Sequence, residues 1–234
     1  MARKKPVRRR WGLYALAFLV LAATIGALAY WWDMRSWAPE PAIYPDQGVL
    51  VSDREGLVSF DTVRAIGGKF AYLEASRGAK GQDTRFGRNL AAARRAGLKV
   101  GAVHLFDLCS SADAQSANFV TKVPRDSDLL PPAIALIGTA DHCPEKVSDA
   151  AVESELMTFI NQVEIHAGKR AILKLSRDFQ ERYQVAGAIE RDLWLERDRF
   201  APTYAGRPWL LWSANAARVT EASDLPIEWV VVQR

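Results

Sequence analysis

Residues that commonly bind metals or redox groups are scarce in this chain, whose 234 residues include two cysteines and three histidines. The histidines, His104, His142 and His166, are scattered and do not form a ligand spacing typical of zinc. The chain also lacks a G-x-G-x-x-G motif after its first predicted strand and lacks a phosphate loop, so the usual sequence evidence for a bound nucleotide is absent. We therefore expect neither a metal ion nor a cofactor.

Acidic residues are absent from residues 1–10, which carry six cations. Beyond residue 10, 25 basic residues stand against 27 acidic ones, so the overall charge of +4 comes from this basic tail. Nucleic-acid binding requires cations clustered on a folded surface, and we therefore expect no nucleic-acid partner. Hydrophobic residues make up 49% of the chain, which is enough for one sizeable core. The absence of a repeat of about 20–50 residues argues against a solenoid.

Charged residues are also absent from residues 11–32, WGLYALAFLVLAATIGALAYWW. A helix of about 20 apolar residues spans the hydrocarbon core of a bilayer, and aromatic residues at both of its ends are typical of membrane interfaces. We predict a single-pass anchor in the inner (plasma) membrane, with residues 1–10 cytoplasmic and the domain after the anchor periplasmic or otherwise extracytoplasmic. A cleaved signal peptide is the alternative, because residues 27–29, ALA, resemble a cleavage site.

Residues 33–47 contain three prolines and follow the predicted anchor. Proline lacks an amide donor and disfavours helix around it, so we predict a semi-rigid linker here. The remaining residues, 48–234, are predicted to form one folded domain.

Residues 48–234 alternate between short β-rich runs and helical patterns. Several runs are almost continuously apolar, as expected for strands buried on both faces. Late connections, notably residues 214–226, are too short for a full helix. We therefore predict an α/β fold, a β/α barrel with incomplete helical cover, with a doubly wound open sheet as the alternative. The eight predicted strands are Gly48–Ser52, Phe70–Ser76, Lys99–Phe106, Ala133–Gly138, Arg170–Ser176, Leu193–Arg197, Pro208–Ala214 and Ile227–Gln233.

Several motifs occur in the order in which one known family carries them. Residues 48–56, GVLVSDREG, are similar to its opening G-I-D-V-S-x-x-Q-G, and residues 70–78, FAYLEASRG, to F-V-Y-I-K-A-T-E-G. Residues 96–106, AGLKVGAVHLF, match A-G-L-x-V-G-A-Y-H-F-F closely, and residues 209–212, WLLW, resemble the start of W-x-x-W-Q-Y. The domain thus resembles glycoside hydrolase family 25, the Chalaropsis-type lysozymes, over nearly all of residues 48–234. The resemblance implies a lysozyme-like, TIM-like barrel directed at peptidoglycan.

The same resemblance places apolar side chains at the family's catalytic positions. The first-strand Asp of the family falls on Leu50, and its fourth-strand D-x-E, which includes the general acid, falls on Ala135 and Ile137. The family's fifth-strand Tyr and the Gln of W-x-x-W-Q-Y fall on Lys174 and Ser213. Glycoside hydrolysis usually needs one acid to protonate the leaving oxygen and a second carboxylate at the anomeric centre. The resemblance therefore predicts a degenerate site that binds rather than cleaves.

Acids beyond the predicted strands offer an alternative source of activity. Asp53 follows the first strand, Asp107 follows the third, and Asp141 lies beyond the fourth. Barrel active sites collect at C-terminal strand ends, so all three are candidates for relocated acids, and Asp107 is the first among them. Solvated loop carboxylates are the simpler interpretation.

Five other side chains are candidate ligand contacts. Glu74 and Arg77 replace a family Lys and Glu, so they form either a ligand-contacting pair at the barrel mouth or a structural salt bridge. His104 matches a family histidine on the third strand. Trp194 and Trp212 are candidates for stacking against sugar rings, as family aromatics do, with core packing as the alternative.

The two cysteines, Cys109 and Cys143, follow the predicted third and fourth strands at the same end of the barrel. Disulfides persist outside the cytoplasm, so a periplasmic domain favours a disulfide between them. Two free buried thiols are the alternative.

Three functions follow as hypotheses. The first is a membrane-anchored, envelope-facing domain that binds peptidoglycan glycan strands, or an envelope protein, without cleaving. The second is an active peptidoglycan N-acetylmuramidase that uses relocated acids, and the missing carboxylates argue against it. The third is an envelope interaction module without glycan affinity.

Overall fold

The computed structural model describes residues 8–233, and the chain divides into two compact units between Trp37 and Ala38. The first unit is helix α1 (Arg8–Ser36). From Trp11 to Ser36 this helix is long and apolar enough to cross a membrane, a test that a signal sequence also passes. Of the predicted basic tail, residues 1–7 lie outside the described residues.

The predicted linker over residues 33–47 is divided between the two compact units. Residues 33–36 continue helix α1, because the first proline that disfavours helix comes only at Pro39. Pro39 is buried, and the side-chain amide of Gln47 donates hydrogen bonds of 2.9 Å to the carbonyls of Pro39 and Tyr44. The indole of Trp229 donates to Gln47 at 2.6 Å. Residues 38–47 are therefore packed into the second unit and are not a free spacer.

The second unit is a closed barrel of eight strands with one additional short strand. Strands β1, β2, β4, β5, β6, β7 and β8 run parallel in that order, and β9 closes the barrel between β8 and β1. Strand β3 pairs only with the end of β2. The architecture confirms the predicted β/α barrel. The strands are β1 (Gln47–Val51), β2 (Gly68–Arg77), β3 (Gly81–Gln82), β4 (Lys99–Leu105), β5 (Ala133–Leu136), β6 (Ile172–Leu175), β7 (Asp192–Glu196), β8 (Leu211–Arg218) and β9 (Ile227–Val232).

The last strand runs antiparallel to both of its neighbours, β8 and β1. Only residues 219–226 connect β8 to β9. A parallel return requires a crossover of about a dozen residues or more, so this short connection forces a hairpin-like reversal.

Helices cover the early strands better than the late ones. Within residues 8–233, no helix lies between β7 and β8 or between β8 and β9. Serine side chains accept amide hydrogen bonds at the N-termini of α2, α4, α5 and α6, as preferred caps do. Gly168 ends α5 in the left-handed conformation, with a φ of 66°. The barrel helices are α2 (Phe60–Ala65), α3 (Phe86–Arg95), α4 (Ala112–Lys122), α5 (Asp149–Ala167), α6 (Arg177–Tyr183) and α7 (Val185–Ala188).

The interior of the barrel is filled by apolar side chains from successive strands. Tyr72, Trp194 and Val230 lie at its centre, and the rings of Tyr72 and Trp194 are 5.0 Å apart. This packed core separates two open ends. The C-terminal end lies where the parallel strands finish, and the N-terminal end lies where they begin.

Candidate functional site

A cavity of about 140 Å³ lies at the C-terminal end of the barrel, and we call it the upper cavity. Its walls combine apolar and charged side chains from seven strands and the loops beside them. Barrel enzymes collect their catalytic residues at this end. The lining includes Leu50, Arg54, Glu55, Glu74, Ala135, Ile137, Lys174 and Glu228.

The three side chains that the family resemblance places at catalytic positions meet in the upper cavity. Leu50 extends from β1, Ala135 from β5, and Ile137 follows β5. Ala135 is buried, whereas Ile137 is 47% exposed. This wall can neither donate a proton nor carry a negative charge.

A chain of ion pairs fixes Glu74 and Arg77 beside that wall. The Arg77 guanidinium contacts the Glu74 carboxylate and lies 2.5 Å from Asp53, and Arg54 lies 3.6 Å from Glu74. Burial raises the pKa of Glu74, against the opposing effect of Arg77. Burial alone would also raise the pKa of Asp53, but the Thr84 amide and the Arg77 guanidinium together lower it. Glu74 faces the cavity and Asp53 holds Arg77 in place.

A buried cation lies deeper in the same cavity. Lys174 Nζ is 3.1 Å from Glu228 Oε1 and 3.3 Å from Glu196 Oε2. Burial by itself would lower the pKa of Lys174, but the two carboxylates outweigh it and raise the pKa above its ordinary value. The Ser213 hydroxyl donates to Glu228, and the Trp194 indole donates to Ser213 at 2.7 Å. Lys174 is therefore a protonated side chain that holds Glu228 in place.

The Lys174 cluster was not predicted as a site. The available signal was a lysine inside the apolar run AILKLS, residues 171–176, where a buried charge requires a partner. Its partners, Glu196 and Glu228, lie 22 and 54 residues away in the sequence. Only closure of the barrel by β9 brings Glu228 next to Lys174.

A second cleft of about 490 Å³ adjoins the upper cavity and shares Arg54, Leu105 and Ile137 with it. Asp107 and Arg77 also line this cleft. The Asp107 carboxylate accepts hydrogen bonds from the Cys109 amide at 3.0 Å and from the Ser110 hydroxyl at 2.5 Å. We call the cavity and the cleft together the upper groove.

Of the three candidate relocated acids, only Asp107 lines the upper groove. Asp53 is instead held by Arg77 and by Thr84. Asp141 is exposed in a short 3-10 turn and accepts a hydrogen bond from Thr139 at 2.7 Å. The structure thus removes Asp53 and Asp141 as groove acids, because their local turns direct them to other partners.

Three candidate ligand contacts are buried and do not line the groove. Both ring nitrogens of His104 form hydrogen bonds, Nδ1 with the Ser76 hydroxyl at 2.8 Å and Nε2 with Gln115 Oε1 at 3.2 Å. Burial lowers its pKa to about 4, against the smaller effect of Gln115, so the ring is neutral at pH 7. Trp194 packs inside the barrel, and Trp212 is 3% exposed with its indole bonded to the Arg197 carbonyl. The assignment of these residues to a ligand surface was wrong, because strand alternation turns each of them into packed interior.

The cysteines form a disulfide, Cys109–Cys143, with Cα atoms 5.3 Å apart. It links the loops that follow β4 and β5, beside the upper groove. His142 Nε2 lies 3.7 Å from Cys109 Sγ, so these three residues are close enough together to hold a metal ion. The thiolate is the form of cysteine that ligates metal, and the disulfide consumes both thiols.

A closed β/α barrel with a groove at the C-terminal strand ends is an architecture that many classes of barrel enzyme share. The family model for glycosyl hydrolases family 25 matches residues 49–215. The chain belongs to this family.

Solved structures and curated relatives resemble the chain at modest identity. A family 25 glycosyl hydrolase from Bacillus anthracis superimposes with a TM-score of 0.76 at 24% identity, covering 85% of this chain and 92% of that one. A bacterial lysozyme from Streptomyces coelicolor gives a TM-score of 0.71 at 19% identity, covering 81% and 92%. Lysozyme M1 of Streptomyces globisporus is 35% identical over 89 residues, 36% of this chain and 30% of that relative. The chain therefore matches less than a third of that lysozyme's length.

Proposed function

We propose that the barrel is an envelope-facing, peptidoglycan-directed domain that binds glycan strands without cleaving them. Helix α1 would anchor it in the inner membrane, with the N-terminus in the cytoplasm. The single observation that carries the non-cleaving part is the apolar wall of Leu50, Ala135 and Ile137 in the upper cavity.

The charges that remain in the upper cavity also favour binding over cleavage. Glu55 accepts bonds from the Ser52 amide and hydroxyl, at 2.6 and 2.8 Å. Glu74 is paired with Arg77, and Glu228 with Lys174. Each of these carboxylates is therefore already engaged by a donor of the protein, whereas a general acid must deliver a proton to the leaving oxygen of the glycan.

The upper groove offers the contacts that a sugar chain needs. The Arg54 side chain is 59% exposed and presents guanidinium donors, while exposed Ile137 provides an apolar surface next to it. Both line the cavity and the cleft, so a glycan that occupies the groove would touch both residues.

Binding is tested with the full chain in detergent and purified peptidoglycan sacculi. We expect the protein to sediment with sacculi, and we expect Arg54→Ala to weaken binding by about tenfold, as loss of a charged hydrogen bond would. Arg88→Ala is the matched control, because Arg88 is exposed on α3 away from the groove. In a second pair, Ile137→Asp should weaken binding, and Ile165→Asp is its control because Ile165 is exposed on α5. No sedimentation, or equal effects in each pair, would favour an envelope interaction module without glycan affinity.

Muramidase activity through relocated acids is the second candidate, and the raised pKa of Glu74 favours it. The same protein is incubated with sacculi and new reducing ends are sought by mass spectrometry. We expect none. Products that disappear in Glu74→Gln or Asp107→Asn would replace the binding proposal with an active site built on that residue.

A further inference from the structure

Another cavity lies at the N-terminal end of the barrel, opposite the upper groove. It has a volume of about 590 Å³, and we call it the lower cavity. Lys99, Ile172 and Leu211, each the first residue of its strand, line it. The lower cavity shares no lining residue with the upper groove. Its volume lies within the range of small-molecule sites, about 300–1,000 Å³.

The wall of the lower cavity is mainly apolar. Phe70, Tyr72 and Ile172 form its inner part, next to the core of the barrel, and Leu130 and Leu210 are only partly buried. Water in contact with such a wall is displaced favourably by a hydrocarbon chain, at about 25 cal/mol for each Å² of apolar surface buried.

The mouth of the lower cavity carries an excess of positive charge. Three exposed cations line it, Arg64, Lys69 and Lys99, with Asp46 as the one acidic residue. Asp46 pairs with Lys69 at 2.9 Å. Within residues 8–233, neither Arg64 nor Lys99 has a carboxylate within ion-pairing distance. Arg64 donates a hydrogen bond of 3.4 Å to the Gly97 carbonyl, so among the described residues two cations without a carboxylate partner lie beside an apolar cavity.

We propose that the lower cavity binds an anionic membrane lipid, with an acyl chain in the cavity and the headgroup phosphate on Arg64 and Lys99. The positive charge at the mouth matches the anionic headgroup, and the apolar wall matches the acyl chain. The position along the chain also favours a lipid, because Asp46 lies ten residues after the end of α1, which is long and apolar enough to cross a membrane. This second point depends on the proposed insertion of α1.

The test uses the full chain reconstituted into phosphatidylcholine vesicles. The probe is phosphatidylglycerol with a photoreactive diazirine at the end of one acyl chain, and mass spectrometry locates the adducts. We expect adducts in the peptides that contain Leu130 and Leu210. Photoreactive phosphatidylcholine should give far fewer adducts there, because nearby Lys and Arg side chains attract anionic headgroups.

Two variants separate the headgroup contact from the acyl-chain contact. Arg64→Gln with Lys99→Gln should reduce the cavity adducts by at least tenfold, and Leu210→Trp should reduce them by filling the cavity. The matched control for the charge change is Lys80→Gln with Arg88→Gln, since both residues are exposed and neither lines the cavity. Circular dichroism verifies that each variant is folded.

Adducts confined to α1, or cavity adducts that are equal for the two lipids, would overturn the proposal. So would cavity adducts that survive all the cavity variants. Cavity adducts without adducts in α1 would support the lipid site while contradicting insertion of that helix. The sedimentation of the protein with sacculi is measured separately, so its failure does not affect this result.

Discussion

At the scale of single residues, the ammonium group buried in the upper cavity is paired locally with two carboxylates. Lys174 lies 3.1 Å from Glu228 and 3.3 Å from Glu196, and its side chain is 5% exposed. Removing one member of a buried charge cluster leaves the others without compensation and typically costs about 3–5 kcal/mol. We therefore expect Lys174→Met to lower the free energy of unfolding by about 3 kcal/mol, because both carboxylates retain some solvent contact. Guanidinium denaturation of the full chain in detergent measures this change.

Exposed Lys146 provides the control for Lys174, and Lys146→Met should leave the midpoint unchanged. Adding Glu228→Gln to Lys174→Met should restore part of the loss, since it removes one uncompensated charge. A Lys174→Met protein as stable as the wild type would contradict the role of Lys174 as the neutralising charge of this cluster.

His104 gives a prediction about pH. Its pKa is lowered from 6.5 to about 4 by burial, so the unfolded chain binds a proton more readily than the folded one between these values. Stability should therefore fall as the pH is lowered from about 6.5 to about 4, by up to about 3 kcal/mol from this residue. His104→Gln should flatten that part of the stability profile, whereas His142→Gln, on an exposed side chain, should not. An unchanged dependence of stability on pH in His104→Gln would contradict the assignment of this dependence to His104.

The meeting of Leu50, Ala135 and Ile137 in one cavity could be predicted from the sequence, and the charges around them could not. Leu50, Ala135 and Ile137 were located by motifs, because motif order follows strand order in a barrel. Lys174 and Glu228 depend on which strands become neighbours and on the side of the strand that each occupies. Both depend on how the barrel closes, and no local sequence pattern predicts that.

At the scale of elements, the apolar runs predicted all eight barrel strands, and errors occur at their ends. The seventh apolar run begins at Pro208, whereas β8 begins at Leu211. Pro208 stays outside the strand because proline has no backbone N–H to donate to the ladder. The two-residue strand β3, Gly81–Gln82, was missed because it carries no hydrophobic pattern. Helix α1 continued past its predicted end at Trp32 to Ser36, because a charged residue does not end a helix.

The disulfide covalently joins the loops that follow β4 and β5. Its contribution to stability can be measured by removing it. Its cysteines are separated by 34 residues, and cross-linking a loop of that length stabilises by about 4 kcal/mol in the chain-entropy model. The double variant Cys109→Ser, Cys143→Ser should therefore lose about 3–4 kcal/mol of unfolding free energy. A reductant should destabilise the wild type by a similar amount and leave the variant unchanged. Equal stability with and without reductant would show that the bond contributes nothing.

At the scale of the whole molecule, the fold assigns different chemistry to the two ends of the barrel. The upper groove presents paired carboxylates and guanidinium groups around an apolar wall. The lower cavity is mainly apolar with cations at its mouth. Peptidoglycan and lipid would thus be bound at opposite ends of one rigid barrel.

That arrangement requires the barrel to lie outside the cytoplasm, and charge predicts that it does. Residues 1–10 carry six cations and no acid, while residues 33–47 carry three acids and one cation. Lys and Arg near a membrane span are retained on the cytoplasmic side, so the N-terminus should be cytoplasmic. A C-terminal alkaline phosphatase fusion should be active and a C-terminal green fluorescent protein fusion, exported unfolded, dark. Replacing the six cations by Gln and adding Lys after Ser36 should reverse the ratio of the two signals. A fluorescent fusion of the wild-type chain, or a mature protein that begins at Tyr30, would contradict the anchored topology.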